Sequence, residues 1–278
     1  MALDDGQQSG ATPAHDKGPL LGRQVTGSAT YDPGLLFPVP RANARESLAH
    51  GFGGYGEDVW HAYELSWLDS SGMPRARTGT ITVPATSPNL IESKSLKLYL
   101  NSLNNHAFAT DDAARQTITK DLSGVAGAAV TLLLHDAAGQ GLGSSELPGE
   151  CLDALQVTVP DSPRSESLKA LAGDDCVYTH LLRSLCPVTA QPDWATLIVD
   201  CRGRHAPREA LLAYLLAYRN HQEFHEQCVE RIYVDLWERL QPAYLSVQAL
   251  YTRRGGLDIC PWRCSEDRAA PAWRLMRQ

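Results

Sequence analysis

Cys186 and Asp193 stand seven residues apart in the stretch Leu185-Cys186-Pro187-Val188-Thr189-Ala190-Gln191-Pro192-Asp193-Trp194. A thiol is a strong nucleophile only as its thiolate, and an unperturbed cysteine has a pKa of ~8.5. A carboxylate beside it takes its proton and later returns it to a reacting atom. Apolar, strand-like runs flank this stretch at 177–185 and 194–199. Between them, two prolines with Thr189 and Gln191 specify a turn rather than a helix. The pattern predicts a hairpin in which a thiol leaves one strand as a carboxyl group enters the next, both facing one substrate. The other six cysteines have no such partner and read as structural.

Phe224-His225-Glu226 opens a second stretch with chemical potential. An aromatic face, a titratable imidazole and a carboxylate in succession suit a flat heterocycle, with Phe224 against the ring and Glu226 accepting from its N–H groups. A plain helix start with an acidic first turn fits the same residues equally well. Arg253-Arg254-Gly255-Gly256 is either a hairpin turn with surface arginines or a phosphate grip of backbone amides and guanidinium groups. Glu92-Ser93-Lys94-Ser95-Leu96-Lys97-Leu98-Tyr99 opens a helix with charged heads. Gly51-Phe52-Gly53-Gly54-Tyr55-Gly56 matches G-x-G-x-x-G but follows a polar segment and precedes a strand, the wrong setting for a dinucleotide fingerprint. His221 and His225, four apart on one expected helix face, lack the glutamate of a zincin or inverzincin, and C-x-x-x-C at Cys260 and Cys264 is a weak zinc signal.

The elements that must position these residues follow a repeated plan. Residues 59–68 and 77–83 read as a strand pair around the turn at 69–72. Leu96, Tyr99, Leu100 and Leu103, then Ile118, Leu122 and Val125, mark two helices. Strands follow at 128–134 and 155–159. The second half repeats this with a hairpin at 177–199, a helix opened by Pro207, and a helix bearing Val229, Ile232, Tyr233, Leu236, Trp237 and Leu240. Strands at 244–251 and 257–262 close it around the Arg253–Gly256 turn. The first helix and third strand begin 36 residues apart in both halves (92 to 128, 208 to 244). This predicts an α+β fold of two duplicated units at 51–160 and 161–278, each an antiparallel sheet with both helices on one face. Residues 1–50, rich in Gly, Pro and small polar side chains, read as a lead-in draped over the body.

With 278 residues, 43% of them hydrophobic, the chain can bury a real core. A net charge of −7 argues against a nucleic-acid partner and favours a small molecule. Residues 1–10 carry two Asp and no apolar run, so no secretory leader is expected. The longest nearly uncharged apolar stretch, 124–134, is too short to span a bilayer. Seven scattered cysteines point to reduced thiols in a cytoplasm.

The run from Glu92 to Tyr99 meets every position of the pattern E-[SL]-K-[SA]-apolar-K-[LY]-[YFW]. In that respect the chain resembles the QueF-type NADPH-dependent 7-cyano-7-deazaguanine reductases of the tunnelling-fold group. Cys186 with Asp193, Phe224-His225-Glu226, and Arg253 through Ile259 match in order and spacing. The resemblance runs from about residue 20 to the end, in the long bimodular form, with Cys260 where asparagine is expected. It implies tandem tunnelling-fold (T-fold) units, each ββααββ, assembling into barrels within a homodimer. It implies reduction of a nitrile by two NADPH through a covalent Cys186 thioimide, with no metal required. Asp193 would move protons and His225 would assist. Ile91, Glu92, Ser93, Phe224, His225 and Glu226 would bind 7-cyano-7-deazaguanine, Glu92 arriving from a different unit or subunit. Ser93, Lys94, Arg254 and Gly255 would hold NADPH. Two other readings remain at this point: a zinc-dependent cyclohydrolase of the same fold using His221, His225 and cysteines, and a non-catalytic purine-binding module.

Overall fold

The computed structural model describes residues 30–48, 51–137 and 144–278, so the lead-in is described only from residue 30 and the linker lacks 138–143. In chain order the elements are β1 (Pro38–Pro40), α1 (Arg41–Arg45), β2 (Tyr55–Leu68), β3 (Pro74–Pro84), β4 (Asn89–Ile91), α2 (Ser93–Ser102), α3 (Asp111–Ala126) and β5 (Thr131–Asp136). There follow β6 (Glu150–Cys151), β7 (Leu171–Ala172), β8 (Asp175–Leu185), β9 (Pro192–Arg202), β10 (Arg204–His205), α4 (Arg208–Leu216), α5 (His225–Leu240), β11 (Tyr244–Tyr251) and β12 (Leu257–Cys264).

Eight strands form one sheet in the order β5-β3-β2-β12-β11-β9-β8-β6. All neighbours are antiparallel except β6 and β8. The architecture is thus α+β, and within one chain the sheet stays open, with β5 and β6 at its edges. The β2–β3 and β8–β9 pairs each carry a register shift, at Ala62/Leu65 and Thr179/Leu182. Such bulges bend and twist a strand.

The join between the halves is β12 against β2, from Leu257 opposite Ala62 to Cys264 opposite Tyr55. The glycine-rich loop serves this seam. A Cβ on Gly54 would lie 2.9 Å from the Cys264 carbonyl oxygen, and one on Gly56 2.2 Å from that of Trp262. Only glycine allows so close a backbone approach.

Both helix pairs cover the same sheet face. The core under α4 and α5 is built on Leu197, Val199, Leu245, Val247 and Ala249. The core under α2 and α3 is built on Trp60, Ile81, Leu132, Leu257 and Ile259. Thr110 caps α3 by accepting from the Ala113 N–H, and Gly127 ends it in the left-handed conformation. The predicted stripe of α5 is buried except for Trp237, which is 38% exposed at the stripe's margin and stacks on Tyr233.

One predicted strand is absent. Residues 155–159 do not join the sheet; Leu155 and Val157 pack half-buried against the α4–α5 core instead. Beside β8 the edge position is taken by β6, whose neighbour Leu152 donates to the Tyr178 carbonyl. Alternation there records contact with a core, with no free ladder for it to join. Within residues 1–50, β1 pairs with β4, placing Val39 opposite Leu90. No helix among the described residues is long and apolar enough to cross a membrane.

Candidate active site

A cavity of about 190 Å³ lies where the two halves meet. Trp60 of β2, Ile91 of β4 and the start of α2 line one side; the Cys186 turn, Asp193, Phe224, His225 and Glu226 line the other, with Arg254, Leu257 and Ile259 between them. Ten of the eleven predicted site residues line it: Ile91, Glu92, Ser93, Lys94, Cys186, Asp193, Phe224, His225, Glu226 and Arg254. Gly255 does not line the wall and lies in the turn beside it.

The Cys186 hairpin forms as the sequence predicts. β8 ends at Leu185 and β9 starts at Pro192, and the Cys186 N–H donates to the Gln191 carbonyl at 2.9 Å. Ala190 takes the left-handed conformation, φ 54°, to close the turn. Cys186 is a free thiol, partly exposed at the cavity. Asp193 is only 4% exposed. Arg254 donates to both its Oδ1 and the Gln191 side-chain carbonyl, joining acid and thiol-bearing turn through one guanidinium. His225 Nε2 lies 3.2 Å from Asp193 Oδ2, in ion-pair range but off the line of a hydrogen bond. Burial alone would raise the Asp193 carboxyl; the imidazole of His225 and then Arg254 outweigh it and hold the group below the ordinary carboxylate range.

Arg254 is aimed by a two-glycine turn. Gly255 and Gly256 have φ of 59° and 79°, the left-handed pair that a tight hairpin between β11 and β12 requires. A Cβ on Gly255 would lie 3.1 Å from Lys97 Cδ, so the missing side chain leaves room beside a lysine. No residue among those described hydrogen-bonds or ion-pairs with Lys97. Burial, and then the positive charge of Arg254, push its ammonium below the ordinary lysine range. Lys97 lines the cavity although it was not among the predicted site residues; its place in the Glu92–Tyr99 run was the available signal.

Phe224, His225 and Glu226 are brought together at the start of α5, Phe224 just outside it. The His225 ring stacks on Tyr251, centroids 4.0 Å apart and planes at 25°. Glu226 is buried, and that burial, reinforced by the negative charge of Asp58, raises its carboxyl to about 7. Asp58 belongs to a buried charge layer not anticipated from sequence. It accepts from Arg41 at 2.5 Å and Arg263 at 2.8 Å, and Arg263 also donates to Glu230, which pairs with Arg45 at 2.5 Å. No local spacing links these residues, so no motif signals them.

Glu92 has a role beyond the one expected. It is the N-cap of α2, accepting the Lys94 N–H at 2.9 Å and the Ser95 N–H at 2.7 Å. Each oxygen retains a lone pair directed elsewhere. His221 and His225 do not share a helix face: His221 precedes α5 in an extended conformation and pairs with Glu223 at 2.9 Å. The two His/Cys/Asp clusters of metal-ligand type among the described residues, His61–Asp258–Cys260 and Cys151–Asp153–His180, include neither histidine.

Residues 28–134 match the family described as nitrile reductase, 7-cyano-7-deazaguanine-reductase N-terminal, and residues 192–270 match that described as QueF-like protein. The chain is 49% identical to the NADPH-dependent 7-cyano-7-deazaguanine reductase of Stenotrophomonas maltophilia, over 93% of this chain and 97% of that protein. It is 48% identical to the reductase of the same name from Acinetobacter baylyi, over 89% and 93%. The counterpart in Acinetobacter baumannii strain SDF is 47% identical, again over 89% and 93%. The chain belongs to the family of NADPH-dependent 7-cyano-7-deazaguanine reductases.

Proposed function

We propose that this protein reduces the nitrile of 7-cyano-7-deazaguanine to the primary amine 7-aminomethyl-7-deazaguanine, in the making of the tRNA base queuosine. One observation carries the reading: a free thiol, a buried carboxylate held ionised, and an aromatic–imidazole–carboxylate run line one cavity.

Cys186 attacks the nitrile carbon while Asp193 takes the thiol proton and delivers it to nitrogen, leaving a thioimide. The protonated C=N of that adduct accepts a hydride where the free nitrile does not. Two NADPH, one after the other, each supply a hydride when bound. Between the two reductions the tetrahedral adduct expels Cys186 sulfur and leaves an imine, which the cavity shields from water. Glu226 and Glu92 accept from the guanine-like N–H edge, Phe224 lies against the ring with Ile91 and Ser93 beside it, and His225 assists proton movement. The cation and glycine chemistry at the cavity suits an anionic dinucleotide. Lys97 carries no ion pair among the described residues, Gly255 leaves space where a Cβ would stand, and Ser93, Lys94 and Arg254 complete the donor set.

The duplicated halves read as tandem T-fold units at 51–160 and 161–278, whose open sheets close into barrels on association of two copies. Edge closure of this kind removes unpaired strand groups. A cytoplasmic location, a small-molecule partner and no need for metal, nucleic acid or membrane complete the reading. The test is mass spectrometry after adding 7-cyano-7-deazaguanine without NADPH. A covalent adduct on Cys186 is expected; intact unmodified enzyme with bound ligand overturns the mechanism.

A further inference from the structure

Reduction of a nitrile through a thioimide asks opposite things of one carboxyl group. Asp193 must be ionised to accept the Cys186 proton as the S–C bond forms. It must carry a proton when hydride reaches carbon, because the nitrogen then gains an electron pair that needs one. That second proton comes from solvent, since the first was passed to nitrogen on thioimide formation.

The structure holds Asp193 in the first state. Arg254 of the β11–β12 turn grips Oδ1, and His225 of α5 stands 3.2 Å from Oδ2. Cys186 shares the same cavity at the end of β8, and Lys97 of α2 is a further cation within electrostatic range. Tyr251 and Cys228 lie behind, buried and held in their neutral forms by that burial. Of these groups, Arg254 alone belongs both to the carboxylate and to the set read as gripping the cofactor. Its side chain is 34% exposed, whereas Asp193 is 4% exposed, so an incoming anion can reach the guanidinium from solvent and cannot reach the carboxylate. An arginine cannot lose its charge in this setting; it can only change which anion it faces.

We propose that Arg254 is shared between Asp193 and a phosphate of the dinucleotide, so that cofactor arrival draws it off the carboxylate and converts Asp193 from proton acceptor to proton donor. The proposal rests on the reading of Arg254 as a cofactor residue. By linkage, binding of the oxidised dinucleotide must then take up a proton at Asp193, and its affinity must rise as pH falls.

The test is calorimetric titration of NADP⁺ into the protein between pH 5.5 and 8, in buffers of different ionisation enthalpy, for the native chain, Asp193→Asn and Arg254→Leu. The dinucleotide's own phosphate titration is common to all three and cancels in comparison. Native protein is expected to take up more protons than Asp193→Asn. The variant, with its arginine already free, is expected to bind NADP⁺ about five- to fiftyfold tighter at pH 8, with a flatter pH profile. Asp193→Ala gives the same comparison should the asparagine variant fold poorly. Equal proton uptake in native and variant protein, with Arg254→Leu still weakening NADP⁺ tenfold or more, overturns the coupling and leaves the cofactor role standing. Unchanged affinity in Arg254→Leu overturns the cofactor role itself, and the coupling with it.

Discussion

Arg253 and Arg254 are neighbours in sequence and work on opposite faces of one sheet. Arg254 reaches the cavity face and grips Asp193. Arg253 lies on the other face, 4.1 Å over the Tyr63 ring, and donates to the Gln278 carbonyl at 2.7 Å. Each face carries a buried carboxylate at its centre, with different surroundings. Asp258, on the Arg253 side, faces His61 at 2.8 Å, Tyr63 at 2.5 Å and Arg274 at 2.9 Å, and Cys260 at 3.6 Å. Every neighbour there is committed, and the cluster fastens the segment around Trp273 and Leu275 to the sheet. On the Arg254 side the bonding is incomplete. Among the described residues His225 Nε2 has no aligned partner and Lys97 no hydrogen bond or ion pair, and Glu226 is raised to about 7. Saturation marks the cluster that holds structure; spare capacity marks the one that meets a ligand.

The contrast breaks first at the thiol. Cys186→Ser is expected to lower turnover at least about a thousandfold and to abolish the nitrile adduct, with little change in melting temperature. Native-like turnover by NADPH absorbance would put the nucleophile elsewhere. The charge layer under the cavity comes next. Arg263→Leu leaves Asp58 and Glu230 short of a partner and is expected to cost about 3–5 kcal/mol in urea denaturation. A change under 1 kcal/mol would show that the layer relaxes freely.

On the opposite face, Arg274→Ala is expected to destabilise by about 1–3 kcal/mol while kcat and KM stay within twofold. A large KM change would mean that the two faces communicate. Glu92 separates cap from ligand. Glu92→Ala loses the α2 cap, about 0.5–2 kcal/mol, and also substrate affinity; Glu92→Asp keeps the cap with a shorter reach, so stability recovers and affinity does not. Recovery of both would limit Glu92 to its helix.

The smallest effect is a pH dependence. Glu226 has a folded-state value of about 7 against an ordinary 4.5. A raised carboxyl makes the fold lose stability as pH rises from 4.5 to about 7, while binding to N–H donors needs the ionised form and strengthens over that last rise. Affinity for 7-cyano-7-deazaguanine, measured by calorimetry from pH 6 to 8, is expected to grow up to about tenfold and to flatten in Glu226→Gln.

Sequence alone determined what was local. The proline-punctuated turn put Cys186 and Asp193 on one hairpin, two glycines specified the turn that carries Arg254, apolar periodicity located α2, α3 and α5, and Pro207 marked the start of α4. Short-range stereochemistry decides such features, and it is written in neighbouring residues. Tertiary structure decided the rest. The α2 start meets the Cys186 hairpin within the same chain because β12 zips onto β2, a pairing of residues about 200 positions apart. Arg254 chooses Asp193, Glu92 turns inward to cap its helix, and Arg41, Asp58 and Arg263 assemble from distant segments. The alternation at 155–159 became packing without a ladder, because hydrophobic contact needs only a surface whereas a strand needs a free neighbour.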